Sequence, residues 1–275
     1  METSSTPTER ITMLGTGNAF VTRCFNTCFV LDSGNNRLLV DAGGGNGILT
    51  RLGEAQIGLT SLHDLYLTHA HTDHVMGAVW VIRAVVNASK KGCYEGSLNV
   101  WGNERVLYVL QTMCSLMFSA KDQKVMSERT AFHILSSGQE FTVGEMQFTV
   151  FDIHSTKEKQ FGFRAALPSK KTLVCLGDEP YNQQNRIFVE DADYLMSEAF
   201  CLYADRDEFH PYEKHHSTAL DAARLASDLK VCNLVLYHTE DKTTNRKMTY
   251  TAEAQSAFQG RIFVPDDLET INMED

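Results

Sequence analysis

The chain predicts an α/β fold of four layers, αββα, with two sheets face to face and helices on both outer sides, in a single domain. Two observations carry this. Apolar runs of strand length alternate with Gly-, Asn- and Asp-rich turns along the chain. A first mixture of strands and helices is followed by a second, with no repeat, low-complexity tract or Pro/Ser-rich linker between them. The 275 residues are enough to bury one large core.

The elements follow in order. Residues 1–10 read as a polar N-terminal tail and 11–275 as the domain. Strands are expected at Ile11–Leu14, Cys28–Leu31 and Leu38–Val40, the last two joined by a hairpin at Asn35-Asn36. Gly77–Ser89 is apolar nearly all round (Val79, Trp80, Ile82, Val85, Val86), as a helix packed on a sheet would be. Asn103–Phe118 carries Val106, Leu107, Leu110, Cys114 and Met117 near helical spacing. Phe141–Asp152 reads as two strands around Val143-Gly144-Glu145, and Phe161–Leu167 with Thr172–Leu176 as a second hairpin. Ser217–Leu229 is a helix capped by Ser217, with Leu220, Ala223, Leu225 and Leu229 inward. Leu234–Tyr237 and Arg261–Val264 close the set as strands.

Hydrophobic content of 43% and charged content of 22% are ordinary for a globular protein. No apolar run approaches the roughly 18 residues of a membrane span, and the N-terminus lacks the apolar stretch of a secretion signal. The seven cysteines form no Cys-x-x-Cys pair and sit mostly in apolar surroundings, so a cytoplasmic protein with reduced thiols is expected. A net charge of −10 opposes a broad grip on a polyanion, leaving only Lys157, Lys159, Arg164, Lys170 and Lys171 as a local basic group.

The chemistry concentrates in His69-Ala70-His71-Thr72-Asp73-His74, directly after Leu65-Tyr66-Leu67. Imidazole is the commonest protein ligand of zinc-like ions, and a carboxylate adds a hard oxygen. In an extended backbone His69 and His71 point the same way, and Asp73 and His74 then fall on the following turn, in reach of a second ion. Four more polar residues stand just past apolar strands: His154, Asp178, Glu198 and His238. Strand ends gather at one rim of a sheet, where functional loops meet.

This motif, with His154, Asp178 and His238 following in order, resembles the metallo-β-lactamase-fold hydrolases along nearly the whole chain. Asp152-Ile153-His154-Ser155 leading to Phe161-Gly162-Phe163-Arg164, Ser197-Glu198-Ala199-Phe200 and His216-Ser217-Thr218-Ala219 are most similar to the ribonuclease Z branch. The resemblance implies the metallo-β-lactamase-like αββα sandwich. It implies two Zn2+, or Mn2+ or Fe2+ in their place, with a shared water or hydroxide. His69, His71 and His154 would hold one ion, Asp73, His74 and His238 the other, and Asp178 would bridge them. Asp73 would also orient the nucleophile. His216 would be the general acid, with Glu198 holding its imidazole. Anionic oxygens would also meet the N-terminus of the helix after His216. His215, His210, His63 and His133 are read as structural.

The branch's long tRNA-clamping arm lies between its third histidine motif and the bridging aspartate. Here His154 and Asp178 are 24 residues apart (178 − 154), room for one hairpin. The opening Gly17-Asn18-Ala19-Phe20-Val21 also departs from the proline-bearing loop usual in the branch. The resemblance implies an endonuclease of the tRNA 3′-processing type, with RNA as substrate. That endonuclease is the leading expectation; its first rival, favoured by the missing arm and net acidity, is a phosphodiesterase for small substrates such as cyclic nucleotides. A lactonase or thioesterase is weaker, because ester hydrolysis needs no dedicated imidazole acid. A homodimer is expected, and no membrane partner.

Overall fold

Strand β2 (Cys28–Ser33) shows how the layers are written into the sequence: Cys28 and Val30 face one core, Phe29 and Leu31 another. The computed structural model describes residues 8–273. Its first half holds β1 (Glu9–Gly15), β2, β3 (Asn36–Val40), α1 (Gly47–Glu54), β4 (Asp64–Leu67), α2 (Thr72–Lys90), β5 (Leu98–Gly102), α3 (Glu104–Met117), α4 (Ala120–Arg129) and β6 (Thr130–Ile134). The second half holds β7 (Glu140–Val143), β8 (Met146–Asp152), β9 (Phe161–Ala166), β10 (Thr172–Cys175), α5 (Arg186–Val189), β11 (Tyr194–Glu198), α6 (Arg206–Phe209), α7 (Ala219–Asp228), β12 (Asn233–Tyr237), α8 (Arg246–Gln255), β13 (Arg261–Phe263) and β14 (Thr270–Asn272).

Two seven-stranded sheets result, in the orders β14-β1-β2-β3-β4-β5-β6 and β13-β12-β11-β10-β9-β8-β7. Aromatic and aliphatic side chains from both sheets fill the space between them, among them Phe29, Tyr66, Phe148, Phe163 and Tyr237. α1, α2 and α3 cover the outer face of the first sheet. α5, α7 and α8 cover the second, where Leu234 and Leu236 point out to them while Val235 and Tyr237 point in. The expected four-layer sandwich is the observed one.

Several details differ from expectation. β1 starts at Glu9, inside the expected tail, whose residues 1–7 lie outside the described residues. α2 starts at Thr72, five residues earlier than expected, so Asp73 and His74 belong to its first turn. α7 is capped by Thr218, not Ser217, in a capping box with Asp221. It packs through Ala219, Ala222, Ala223 and Ala226, leaving Leu220 and Leu225 half-buried. α1, α4 and α8 have no counterpart in the sequence reading. Among the described residues, no helix is long and apolar enough to cross a membrane.

Strands β3 to β6 run parallel, as do β10 to β13. The residues just past β3, β4, β10 and β12 are Asp41, Thr68-His69, Leu176-Gly177-Asp178 and His238, so carboxyl-terminal ends of both sheets supply one rim. Gly77 fixes the approach of α2 to that rim. A Cβ there would stand 1.8 Å from the Ala42 carbonyl oxygen. With only hydrogen at that point, Gly77 N–H donates to Gly43 O (2.8 Å) and Ala42 N–H to His74 O (3.0 Å). The first turn of α2 is thereby stitched to the segment carrying Asp41.

Candidate metal centre

Among the described residues, three groups of side chains offer ligand atoms within 4.8 Å of one another. One is Glu198, His216 and His238; the two that carry the expected ligands are His69, His71 and Asp178, and Asp73, His74 and His238. His71, in extended conformation, ends the strand-like segment and serves as N-cap residue of α2. The alternation expected of His69 and His71 therefore holds, with their Nε2 and Nδ1 atoms 2.8 Å apart. Asp178 lies between the groups. Its Oδ2 stands 3.6 Å from His69 Nε2, 3.9 Å from His71 Nδ1, 3.8 Å from His74 Nε2 and 3.7 Å from His238 Nε2. Asp73 Oδ2 is 3.3 Å from His74 Nε2 and 3.6 Å from His238 Nε2.

The donor set fits divalent cations. His74 Nε2 and both ring nitrogens of His238 are buried without a hydrogen-bond partner, a costly state for polar atoms unless a ligand completes them. Burial pushes the His69 imidazole well below its ordinary value, keeping its lone pair free of a proton. Burial would raise the Asp73 and Asp178 carboxyls. The neighbouring imidazoles, His74 and His238 around Asp73, and His69, His71 and His238 around Asp178, outweigh it and hold both well below the carboxylate range. Burial also opposes a charge on His74, but Asp73 and Asp41 push it well up. Divalent metal binding is supported by these clusters of histidine and aspartate.

A buried carboxylate that the sequence reading left without a role orients the imidazoles. Asp41, just past β3, accepts from His74 Nδ1 (2.7 Å), Thr68 N–H (2.9 Å) and Thr68 Oγ1 (2.8 Å). The Thr68 oxygen then accepts from His69 Nδ1 (2.9 Å). Both histidines are thus held with Nε2 toward the centre. Gln160, also buried, donates to Asp178 Oδ1 (2.6 Å), and its Nε2 lies 3.0 Å from His69 Nδ1. The strand-end aspartate in Val40-Asp41-Ala42-Gly43 was the available signal for Asp41. Gln160 had none.

His154 is a correction: it joins neither group. Its N–H donates to Asp152 Oδ1 (2.7 Å), its backbone is left-handed (φ 61°), and its ring is exposed. This turn sends the neighbouring Ile153 inward instead. The basic group also disperses. Lys157 lines the cleft beside His71 and Asp73, Arg164 donates to Phe188 O (2.6 Å), Lys171 donates to Met273 O, and Lys170 sits in the β9–β10 turn.

Glu198 and His216 come together as expected, but loosely. His216 Nδ1 is 3.6 Å from Glu198 Oε2, while the ring stacks on Phe200 (4.9 Å between centroids) and stands 5.4 Å from the His238 ring. The buried Glu198 carboxylate accepts the N–H groups of Ser217 and Phe200, clamping the loop on which His216 sits. The N-terminus of α7 is not open to anions, a second correction. Thr218 N–H is taken by Asp221, Ala219 N–H by Cys201 O and Leu220 N–H by Glu253. His215 and His210 are exposed with left-handed backbones, His63 contacts Tyr94, and His133 stacks on Trp101; none of the four belongs to a ligand group.

A cleft of about 650 Å³ opens onto His71, Asp73, Asp178, His216 and His238. Lys157, Lys214 and Lys242 also line it, against a net charge of −10 for the chain.

Comparison with known proteins agrees with this picture. A ribonuclease Z of Bradyrhizobium diazoefficiens is 24% identical over 299 aligned positions, covering 90% of this chain and 94% of the relative. The metallo-β-lactamase fold protein YhfI of Bacillus subtilis superposes with a TM-score of 0.79 at 22% identity, covering 96% of this chain and 99% of YhfI. Human tRNase Z, short form (ELAC1), gives 0.72 at 20% identity over 97% of this chain and 100% of that one. The expected metallo-β-lactamase fold and ribonuclease Z-like branch are borne out, and the chain is a metal-dependent hydrolase. A family model described as anti-Pycsar protein Apyc1 matches residues 9–263, and this chain belongs to that family.

Proposed function

We propose that this chain is a dinuclear-metal phosphodiesterase acting on small phosphodiesters such as cyclic nucleotides. The observation that carries it is Asp178, whose Oδ2 stands 3.6–3.9 Å from two imidazole nitrogens of each group, as a bridging carboxylate would. His69 and His71 would hold one ion, and Asp73, His74 and His238 the other. Two Zn2+ are the leading assignment, with Mn2+ or Fe2+ fitting the same donors. When bound, the cations would acidify a water and offset charge on the phosphoryl oxygens.

The residues around them do the rest. Asp73, ionised and at the cleft wall, orients the attacking water. A bond forms between its oxygen and phosphorus, the water's proton having passed to solvent, while the bond to the leaving ester oxygen breaks. His216 gives that oxygen its proton, held by Phe200 stacking and by the Glu198 clamp on the next residue.

Three features support a small substrate. Only residues 167–171 join β9 to β10, where the clamping arm of the branch would stand. The cleft, at about 650 Å³, falls within the roughly 300–1,000 Å³ of small-ligand sites. Its lysines supply local attraction for one phosphate on an acidic protein. A second reading, pre-tRNA cleavage, is favoured by the ribonuclease Z relatives, which match 90% or more of the chain in several cases. Exposed Trp80 on α2 and Tyr108, Leu116 and Met117 on α3 support a homodimer.

Metal-loaded protein should be assayed with cyclic mononucleotides, pre-tRNA and a bis-aryl phosphodiester, with elemental analysis alongside. Expected are two ions per chain, hydrolysis of the aryl ester and the cyclic nucleotide, and intact pre-tRNA. Cleavage of pre-tRNA at its 3′ trailer without cyclic nucleotide turnover selects the second reading. No hydrolysis at full metal occupancy overturns both.

A further inference from the structure

The opening loop Gly17–Val21 has no role in the chemistry above, yet it places an aromatic ring at the mouth of the cleft. Phe20 lines the same cavity as Asp73, Asp178 and His216 and is 95% exposed, the most exposed large apolar side chain among the described residues. Water-exposed phenylalanines are common at loop tips with loose backbones. This backbone is not loose. Phe20 N–H donates to Asn18 Oδ1 (3.0 Å), Asn18 N–H to Thr239 O (3.0 Å), and Asn26 Nδ2 to Asn18 O (2.8 Å). Beyond Phe20, the N–H groups of Thr22 and Arg23 both donate to Asp241 Oδ2 (2.6 and 2.8 Å).

Two of these anchors, Thr239 and Asp241, lie one and three residues after His238 in the chain. The ring is therefore set in position relative to the metal centre, and nothing in the fold covers it. A second aromatic, Phe209, lines the cavity as well, packed edge-on against Phe200 with Lys242 Nζ 5.3 Å from its ring centre.

We infer that Phe20 is a stacking platform for the base of a bound nucleotide, whose phosphate lies over Asp73 and Asp178. Every nucleobase has a π-face, so an unpaired ring at a fixed distance from the reacting phosphate selects nucleotides over other phosphodiesters without selecting one base. This deepens the phosphodiesterase reading and rests on it.

The test uses metal-loaded wild type, Phe20→Ala and Phe20→Trp, titrated with adenosine 5′-monophosphate and with ribose 5-phosphate. Phe20→Ala is expected to weaken the nucleotide about 10-fold and ribose 5-phosphate less than 2-fold. Its effect on cyclic nucleotide turnover falls on KM rather than kcat. Phe20→Trp keeps the nucleotide affinity, and its emission is quenched by the nucleotide but not by the sugar phosphate. Equal nucleotide affinity in wild type and Phe20→Ala overturns the platform, as does equal loss for both ligands. So does a Phe20→Ala protein whose oligomer mass drops while nucleotide affinity holds, which places the ring in an interface between copies. Each of these leaves hydrolysis of an aryl phosphodiester intact, whereas loss of all phosphodiester hydrolysis in wild type removes the functional reading itself.

Discussion

The two sheets contribute to one centre in different ways. The first supplies His69, His71, Asp73 and His74 from six consecutive residues, backed by a single carboxylate, Asp41, that reaches His74 directly and His69 through Thr68. The second supplies Asp178, Glu198 and His238 from three separate strand ends, with His216 on a loop clamped by Glu198. One side is a local motif with its own support. The other is assembled by topology, and each of its loops is free to turn its own way. His154 is the case where the loop turned outward.

The largest test of this contrast is Asp41→Ala. It leaves a buried imidazole and a buried hydroxyl without their acceptor, so about 3–5 kcal/mol of stability should go, and bound metal should fall below two per chain. Urea denaturation and elemental analysis measure the two effects. Metal retained at full occupancy would mean the first side needs no common support.

Next is His216→Ala. Both ions should stay while turnover drops about 10²-fold or more, as loss of a general acid predicts. Single-turnover rates on a substrate with a poor leaving group read this most clearly, and an undiminished rate removes His216 from proton transfer. The smallest effect is expected from His154→Ala, whose ring touches neither ligand group. Metal content and affinity should match wild type by titration against a chelator. A loss of one ion would bring this loop back to the centre and erase the contrast between the sheets.

What could be read from the sequence follows the same division. The His69–His74 run was legible because spacing and residue type alone specify its chemistry. Asp178 and His238 were found through their place after apolar strands, a pattern that depends on both sheets sharing a rim. The same pattern misplaced His154, since a strand end does not reveal that Asp152 will accept its N–H and turn the ring outward. Gln160 was invisible because its partners, His69 and Asp178, are 91 and 18 residues away in the chain. Among helices, α4 was missed because it buries no residue and so carries no apolar stripe, and α8 because it buries only Tyr250 and Ala254. The cap of α7 was off by one position, because Ser217 and Thr218 are equally good by residue type and only the Asp221 partner separates them.

The contact of Gly77 with the Ala42 carbonyl has a bearing on how this protein can change over time. Any other side chain at that position would drive the first turn of α2 off the strand end. Substitution is therefore closed at that point of the cleft wall, whereas the opposite wall is built from separate strand ends and loops that no such contact ties to one another.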